Sequence, residues 1–510
     1  MVADCAGRLQ RAIATSGAPL TSRYWAPAQT KFLRKTVAHT LERMWITKPI
    51  LRRAPLVMVR NFCPRDRLRA PRRHKTPFGL LAMLVLAPLL LRSAVAEIGG
   101  PSASASPSAA AAPTFTFAAA GDMGASSAIS SLAKLNASGV NFYLALGDLD
   151  YDQTPTDEAW CDYVKQRLPT LGPTFPFELV AGSHEYQGGP NGYVMNHAAC
   201  LPDRLGSTGL YGAQYYFDYP ASSPLMRVIM ISPNLRIENF DYNYTVGSPE
   251  YKWLISAIDG ARNAGTPWIT VGMHKVCIST GVKPCEIGTD LMNLLVSKHV
   301  DLVLQGHDHN YRRGKQLALN GATCPAVPAG SFDPDCVVDD GSDNGYFKGA
   351  GAVFLISGSF GFCCYNVDPA DPEAGYFARL ADTSKGFTKF TVGRGHITAQ
   401  FVKSTGGLTD SFSIVSNQDS DRDGFSDGIE SYVGTNANLA CGTAAWAPDV
   451  TNDTYVDISD VIPLTTYFGK PVGPSPNSPP RYDFAPVVPD GFVDVSDLSR
   501  MLGFFGQRCS

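Results

Sequence analysis

Apolar runs that end in short polar motifs recur along the chain between residues 114 and 311. Each run has the length of a buried strand, and the motif after it carries a carboxylate, a hydroxyl or an imidazole. Patterns typical of helices lie between several of these runs, at 128–137, 249–264 and 289–299. Alternation of strand and helix is typical of an α/β fold with parallel strands. The runs with their motifs are TFTFAAAGDMG, NFYLALGDLDY, PFELVAGSHE, PWITVGMH and DLVLQGHDH.

Further strand patterns follow the last of these motifs, at Ala352–Ser357, Phe387–Val392, His396–Lys403 and Ser411–Val415. We interpret them as a strand meander that completes a second sheet. Residues 186–251 are rich in Tyr, Asn and Gly, and they predict mostly loops with short strands such as MRVIMIS. Long loops over a rigid sheet often carry substrate specificity. The sequence therefore predicts a two-sheet α/β sandwich flanked by helices over residues 114–415.

The charge distribution divides the chain into a basic N-terminal part and an acidic remainder. Residues 1–96 hold 18 of the 43 Lys and Arg residues but only three of the 46 acidic residues. The remainder has 25 basic and 43 acidic residues, a balance that disfavours nucleic-acid binding and suits a protein that takes up hard cations. Nucleic acid is therefore not an expected partner.

The basic part has the three regions of a secretory signal. RAPRRHK precedes an apolar run from Phe78 to Leu91, and Ala94-Val95-Ala96 forms a small-residue cleavage site. A membrane anchor is the alternative, but the run is shorter than the roughly 20 residues of a spanning helix. We expect residues 1–57 to lie upstream of the start at Met58, cleavage after Ala96, and a secreted or extracytoplasmic protein with no stable membrane span after processing.

Export predicts disulfide bonds among the ten cysteines that follow the signal. Proximity in sequence favours the pairs Cys161–Cys200, Cys277–Cys285 and Cys441–Cys509. It leaves two bridges in an open arrangement among Cys324, Cys336, Cys363 and Cys364. A thiolate zinc site needs Cys-x-x-Cys pairs, which this sequence lacks. Residues 97–113 are expected to be a flexible Ser/Ala/Pro linker.

The motifs at the strand ends supply the residue types of two metal coordination shells. Gly-Asp after a strand is by itself an ordinary turn, and a single loop histidine is unremarkable. The GHDH motif is the most specific short signal, because its two histidines lie on one side of a tight turn. Carboxylate and phenolate oxygens suit Fe(III), whereas imidazoles suit Zn, Fe(II) or Mn.

The motifs GDMG, GDLDY, GSHE, VGMH and GHDH, in this order, resemble the calcineurin-like metallophosphoesterases, and the tyrosine of GDLDY points to their purple acid phosphatase branch. The resemblance implies a catalytic His184 that contacts the phosphate and assists the leaving group. The chain departs from the family at Ser183, where the family has an Asn ligand, and a hydroxyl is a weaker donor than an amide oxygen. The implied ligands of Fe(III) are Asp122, Asp148, Tyr151 and His309, and those of a second Fe, Zn or Mn ion are Asp148, Ser183, His274 and His307.

The resemblance implies a secreted, acid phosphatase-like hydrolase of phosphate monoesters, in which two metal ions activate a hydroxide. Phosphate esters are then the expected substrates. A phosphodiesterase or nucleotidase on the same site is one alternative, because the motifs specify the metal chemistry and not the leaving group. A non-catalytic, calcium-dependent surface or docking module is the alternative of another class, and Ser183 is the one residue that favours it.

Acidic modules follow residue 415. DSDRDGFSDGIE has the spacing of a calcium loop, and residues 416–440 resemble a thrombospondin type 3 repeat. VDISDVIPLTTYFG and VDVSDLSRMLGFFG repeat at an offset of 37 residues, and 441–510 resemble a dockerin of calcium-binding loop-helix units. A dockerin implies a cohesin-like or cell-surface partner, and a stabilising cap without a partner is the alternative. The expected Ca²⁺ ligands are Asp419, Asp421, Asp423, Asp427, Glu430, Asp449, Asp453, Asp457, Asp460, Asp490, Asp494 and Asp497.

Overall fold

The fold is taken from a computed structural model, which describes residues 114–473, 475–485, 489 and 491–510. The expected signal peptide, the linker at 97–113 and Asp490 lie outside the described residues. The proposed boundaries at 415 and 440 stay predictions.

The elements are numbered in chain order. The helices are α1 Ile129–Asn136, α2 Asp157–Arg167, α3 Val194–Cys200, α4 Pro249–Asn263, α5 Thr289–Ser297, α6 Asp427–Val433, α7 Ile458–Tyr467 and α8 Val495–Gly503. The strands are β1 Phe115–Ala120, β2 Phe142–Ala145, β3 Phe177–Leu179, β4 Thr208–Leu210, β5 Gln214–Tyr219, β6 Met226–Ile231, β7 Arg236–Ile237, β8 Phe240–Asp241, β9 Trp268–Met273, β10 Leu302–Gln305, β11 Tyr311–Leu317, β12 Val337–Asp339, β13 Gly345–Phe347, β14 Ala352–Ser357, β15 Phe377–Ala381, β16 Lys385–Val392, β17 His396–Thr405, β18 Ser411–Val415, β19 Lys470–Pro471 and β20 Phe492–Val493.

Two mixed sheets form the body of the fold. The first has the order β13-β18-β17-β16-β1-β2-β3, and the second has the order β12-β11-β14-β10-β9-β6-β5-β4, with β15 beside β11. β1, β2 and β3 run parallel, as do β6, β9, β10 and β14. The predicted α/β architecture of two sheets and flanking helices is confirmed.

One part of the strand prediction is wrong. β14 does not form a meander with the three later strands, because it lies in the second sheet between β10 and β11. β16, β17 and β18 instead continue the first sheet beside β1. The AVFLIS sequence of β14 is buried throughout, which suits a central strand with both faces covered. Such a pattern carries no information about which sheet the strand joins.

Each sheet buries apolar side chains on both faces. Phe117, Phe142 and Phe390 of the first sheet share one cluster with Met230 and Leu304 of the second, so this cluster is the interior of the sandwich. The aromatic rings of Phe117 and Phe390 stack at 4.5 Å between centroids. The opposite faces pack against helices such as α1, α4 and α5 in a second cluster. The result is a layered body with helices outside the two sheets.

The helices begin and end close to their predicted positions. In α4 the hydroxyl of Ser248 accepts a hydrogen bond from the Tyr251 N–H at 3.1 Å, and Pro249 occupies the first turn, where its missing N–H costs nothing. α1 and α5 fall inside the predicted ranges 128–137 and 289–299. Within the described residues, no helix is both long and apolar enough to cross a membrane.

The three predicted disulfides are present. Cys161 pairs with Cys200, Cys277 with Cys285 and Cys441 with Cys509. The four remaining cysteines, whose arrangement the sequence left open, pair as Cys324–Cys336 and Cys363–Cys364.

The acidic C-terminal region packs against the end of the first sheet. The Gly395 N–H, just before β17, lies 3.3 Å from the hydroxyl of Ser431 in α6, and His396 Nδ1 lies 3.2 Å from the same hydroxyl. A separate apolar cluster, which includes Phe425, Trp446 and Phe484, holds α6, α7 and α8 together. The calcium-loop region and the repeated loop-helix units therefore share one small core.

Candidate metal centre

The predicted ligands follow five strands and meet at one edge of the sandwich. Asp122 and Asp148 follow β1 and β2 of the first sheet, whereas His274 and His307 follow β9 and β10 of the second. A backbone hydrogen bond of 2.9 Å from His307 N to the Oδ2 atom of Asp122 joins the two sheets here. Asp122, Asp148 and His307 have φ angles of 64°, 53° and 69°, a backbone conformation that is strained for these residues and is concentrated at functional sites.

One donor cluster contains Asp122, Asp148 and His309, with the phenol of Tyr151 among them. Ligand atoms of the first three lie within 4.8 Å of one another. The Tyr151 hydroxyl lies 3.0 Å from Asp122 Oδ1, 3.2 Å from Asp148 Oδ2 and 3.1 Å from His309 Nε2. Three oxygen donors and one imidazole thus point at a common centre, a set that suits Fe(III).

A second donor cluster contains Asp148, His274 and His307. His274 Nε2 lies 3.2 Å from Asp148 Oδ2 and 2.9 Å from His307 Nδ1. The Ser183 hydroxyl lies 3.2 Å from the same Oδ2 atom and 3.5 Å from His274 Nε2. Two imidazoles, a carboxylate and a neighbouring hydroxyl fit a divalent ion such as Zn²⁺. The Asp148 carboxylate therefore belongs to both clusters.

Both histidines of the second cluster are oriented by their remaining ring nitrogens. His274 Nδ1 lies 2.8 Å from the carbonyl of Leu146, so this nitrogen donates and Nε2 is left as a ligand. His307 Nε2 lies 2.9 Å from Glu286 Oε1, which leaves Nδ1 as the ligand atom. Sequence reasoning missed Glu286, because it lies in a loop with no strand or motif beside it.

The charges of the centre shift several pKa values. Burial raises the pKa of Asp148, but the charges of His274, His184 and His307 outweigh it and hold that pKa below its ordinary value. Burial lowers the pKa of His274, but Asp148 outweighs it and raises that pKa to about 9. Burial and the carboxylates of Asp122 and Asp148 raise the pKa of Tyr151. A multivalent cation reverses such a phenol shift, because it favours the charged form.

Two buried carboxylates behind the ligands stabilise the loops that carry them. Glu185 accepts hydrogen bonds from the backbone of Asp148 at 2.8 Å and of Gly182 at 2.7 Å, so it ties the loops after β2 and β3 together. Burial, followed by the charge of Asp148, raises the pKa of Glu185 to about 8. Asp308, between the two histidines of the GHDH turn, forms a buried ion pair of 2.6 Å with Arg312. Neither carboxylate was predicted to have this role.

The catalytic candidate His184 lies at the rim of the centre. Its Nε2 atom is 3.7 Å from Asp148 Oδ2, and 30% of its side chain is exposed. On the other side of the ring, Nδ1 is hydrogen-bonded to the Oδ1 atom of Asn191. The rings of His184 and Tyr151 pack with their centroids 4.4 Å apart. His184 thus faces both the shared carboxylate and solvent.

A loop after β14 covers the first cluster with aromatic rings. Tyr365 stacks on His309 at 4.1 Å between centroids, and Phe362 packs on Tyr151 at 4.0 Å. The Cys363–Cys364 disulfide lies between these two aromatic residues in sequence. The two half-buried rings therefore line one side of the cluster with aromatic surface.

The first predicted calcium loop has donors that lack protein partners. Ligand atoms of Asp419, Asp421 and Asp423 lie within 4.8 Å of one another. Glu430 is fully buried, and neither of its carboxylate oxygens has a hydrogen-bond partner among the described residues. Burial and the neighbouring aspartates raise its pKa to about 9. Asp427 instead accepts hydrogen bonds from Ser420, at 2.8 Å from both its N–H and its hydroxyl.

The predicted donors of the two loop-helix units already have backbone partners. Asp457 and Asp494 are the N-caps of α7 and α8, each in a capping box with the aspartate three residues later, Asp460 or Asp497. Asp449 accepts hydrogen bonds from the N–H groups of Asp453 and Thr454 at 3.0 and 2.8 Å. Asp453 accepts one from the Tyr455 N–H at 2.9 Å. These bonds shape both loops.

Comparisons with known proteins agree with the geometry of the metal centre. Residues 115–311 match the family model of calcineurin-like phosphoesterases. Purple acid phosphatase 21 of Arabidopsis thaliana is 27% identical over 217 residues, covering 39% of this chain and 45% of the relative. Fe(3+)-Zn(2+) purple acid phosphatase 12 of the same plant is 26% identical over 221 residues, covering 40% and 44%. The chain spans less than half the length of these curated relatives.

A solved structure also aligns with this chain. It is a purple acid phosphatase from yellow lupin (Lupinus luteus) seeds, with 15% identity and a TM-score of 0.45 over 60% of this chain and 55% of that one. Residues 115–311 thus match the calcineurin-like phosphoesterase family model within an α/β fold of mixed sheets and flanking helices, and the chain is similar to purple acid phosphatases at low identity.

Proposed function

We propose that this chain is a secreted, metal-dependent acid phosphatase that hydrolyses phosphate monoesters. One observation carries the proposal: the Asp148 carboxylate belongs to two donor clusters that otherwise share no residue. The residues that would hold the first ion, Fe(III), are Asp122, Asp148, Tyr151 and His309. Those for the second ion, Fe, Zn or Mn, are Asp148, His274 and His307, with Ser183 beside them.

Different residues of this chain would have different roles in the proposed hydrolysis. The two ions, when bound, supply Lewis acidity that activates water and balances charge on the phosphoryl group. His184 presents Nε2 from the rim of the centre, where a proton can pass to a leaving oxygen. Tyr365 and Phe362 line one side of the first cluster. The carboxylates of Glu185 and Glu286 hold the loop of Asp148 and the ring of His307 in place.

Replacing Ser183 by Asn tests this function at the position where the chain has the weakest donor. An amide oxygen binds a divalent ion more strongly than a hydroxyl does, so Ser183→Asn should lower the dissociation constant of the second ion by about tenfold while monoester turnover is kept or raised. Metal titration of the purified protein, with p-nitrophenyl phosphate as substrate, measures both quantities. Ser207→Asn, at a hydroxyl outside the centre, is the matched control.

The wild-type protein provides the baseline for the same experiment. It should bind two transition-metal ions, show a visible tyrosinate-to-iron band and hydrolyse the monoester faster than a diester such as bis-p-nitrophenyl phosphate. A faster diester reaction would favour a phosphodiesterase. A protein that binds no transition metal and turns over neither ester would contradict the proposal and favour a non-catalytic module.

The described disulfides support the proposed secretion. Ten cysteines form five disulfides within the described residues. Such bonds persist in oxidising compartments. The signal that would direct export lies outside the described residues.

We also propose calcium in the acidic region and a docking role for its two repeated helices. The buried, unpartnered Glu430 among aspartates supports calcium binding in the first loop. Ile458 and Val495, at equivalent positions of α7 and α8, are 60% and 62% exposed. Phe468 and Phe505, also 37 residues apart, are both 49% exposed. Apolar residues exposed twice at equivalent positions favour a partner surface, such as a cohesin-like or cell-surface protein.

Charged residues at two of these positions test the docking role. Ile458→Asp combined with Val495→Asp should move the exported protein from the cell surface into the medium, because a charge opposes burial of the apolar face. Phosphatase activity and melting temperature should stay unchanged. The measurement is the fraction of enzyme that sediments with cells, and Ser459→Asp with Ser496→Asp is the matched control on the same helices. A wild-type protein found entirely in the medium would contradict docking.

A further inference from the structure

We infer that Asn191 and Asp152 form a hydrogen-bonded relay that orients the imidazole of His184 toward the metal centre. Asn191 is then a positioning residue for the leaving-group step, and its loop contributes to catalysis without touching the ions. This inference rests on the proposed phosphatase function. It goes beyond that function because it assigns a role to two residues outside the predicted ligand motifs.

The hydrogen-bond pattern determines which atoms of the relay face each other. The Nδ2 atom of Asn191 donates to Asp152 Oδ2, a carboxylate oxygen that can only accept. The other amide atom, Oδ1, therefore faces His184 Nδ1. Because an amide oxygen also only accepts, Nδ1 of His184 must carry a proton. The tautomer of His184 is thus determined by a chain of donors and acceptors that ends at Asp152.

The loop between His184 and Asn191 is folded so that the relay is preorganised. The Asn191 N–H donates to the carbonyl of His184 at 2.9 Å, and the Gly189 N–H donates to the carbonyl of Tyr186 at 2.7 Å. Asp152 approaches from the loop after β2, where it has a φ of 54°. Three side chains from two loops are thereby held in line. Groups held in this way lose little entropy when the reaction needs them in one orientation.

The relay leaves the free nitrogen of His184 directed toward the metal centre. Nε2 points back toward the shared carboxylate, at 3.7 Å from Asp148 Oδ2, while the ring is 30% exposed to solvent. The adjacent ring of Tyr151 limits rotation on one face. A leaving alkoxide takes a proton as its bond to phosphorus breaks, and Nε2 is the ring nitrogen left free for that transfer while Nδ1 stays hydrogen-bonded to Asn191. A good leaving group, with a low pKa, does not need that proton.

The test compares leaving groups of different basicity. Asn191→Leu should lower kcat for phenyl phosphate by at least about tenfold, a part of the 10²–10⁴ that general acid catalysis contributes, and should leave 2,4-dinitrophenyl phosphate almost unchanged. KM for both esters should stay within about twofold, because the phosphoryl group would be bound at the two donor clusters and not at the relay. Asp152→Ala should act in the same direction with a smaller effect. Asp152 is exposed, so this variant tests the relay even where Asn191→Leu fails to fold.

A double-mutant cycle separates positioning from a structural role. Once His184 is replaced by Ala, adding Asn191→Leu should cost no further activity, because the relay acts only through that ring. Asn196→Leu is the matched control, since its Nδ2 also donates to an aspartate, Asp157, at 2.8 Å. It should leave the leaving-group dependence unchanged.

The outcomes distinguish failure of the relay from failure of the proposed function. A wild-type protein that hydrolyses neither phenyl ester overturns the phosphatase function and the relay with it. A working phosphatase in which Asn191→Leu slows both esters equally, or adds its full cost to His184→Ala, overturns the relay alone.

Discussion

Replacing Asp148 by Asn should lower the turnover of a phosphate monoester by about a thousandfold, or roughly 4 kcal/mol of transition-state stabilisation. The amide keeps the shape of the side chain but removes the charge that both donor clusters share. The Oδ2 atom of Asp148 lies 3.2 Å from both His274 Nε2 and the Tyr151 hydroxyl, so removal of the charge affects both donor clusters. Steady-state kinetics and metal analysis of the same preparation measure the effect, and the metal content should fall as well.

Asp150 provides a matched control two residues away. It is also buried, but it accepts a hydrogen bond from the Thr154 hydroxyl at 3.1 Å and belongs to neither donor cluster. Asp150→Asn should therefore keep both ions and most of the activity. Intact turnover and full metal content in Asp148→Asn would show that the two-cluster reading of the centre is wrong.

Calcium should raise the melting temperature of the full chain, and Glu430→Gln should abolish the contribution of the first loop. A ligand that binds only the folded state stabilises it by about 4 kcal/mol at a thousandfold excess over its Kd. The substitution should change stability in opposite directions with and without calcium. Without calcium the Gln variant should be the more stable protein, because folding no longer has to bury an acid whose pKa rises to about 9 in the folded state. Thermal melts with added Ca²⁺ and with chelator measure both.

A buried glutamate far from the loop serves as the comparison. Glu250 is 4% exposed at the start of α4, outside the acidic region. Glu250→Gln should leave the calcium-induced shift at its wild-type size. Asp423→Ala should reduce the shift as Glu430→Gln does, and a chain that melts at the same temperature in calcium and in chelator would mean that the acidic residues are merely solvated.

Most of the fold could be predicted because local sequence patterns identify many of its strands and helices. β1, β9 and β10 are apolar runs that stop at a polar motif, and α4 has a serine cap and a proline in its first turn. Sheet membership is different, because it depends on contacts between distant segments. β14 has the same local pattern whichever sheet it joins, so its place between β10 and β11 could not be predicted.

Within each sheet, the predicted ligands meet because parallel strands bring their carboxyl ends to one edge. That rule brings Asp122 and Asp148 together in the first sheet and the histidines after β9 and β10 together in the second, but it does not bring the two sets to each other. Glu286 and Asn191 come from loops whose paths no periodicity describes, and their partners lie 21 and 7 residues away along the chain. Their roles follow from tertiary contacts alone. The sequence thus predicts candidate ligands that lie close together in the structure, but not the residues that hold them in place.

The division of the ligands between two sheets has a consequence for the order of folding. Asp122 and Asp148 are made early in synthesis, whereas the histidines lie after residue 273, and the bond between His307 and Asp122 spans 185 residues. Contacts between residues so far apart in sequence form late, because the chain loses loop-closure entropy before the contact contributes any stabilisation. A partly synthesised chain contains the carboxylates of Asp122 and Asp148 but lacks the imidazoles that complete the two donor clusters. Under the proposed function, metal uptake would follow the assembly of both sheets, and the metal content of a preparation would measure the fraction of chains in which both sheets have assembled.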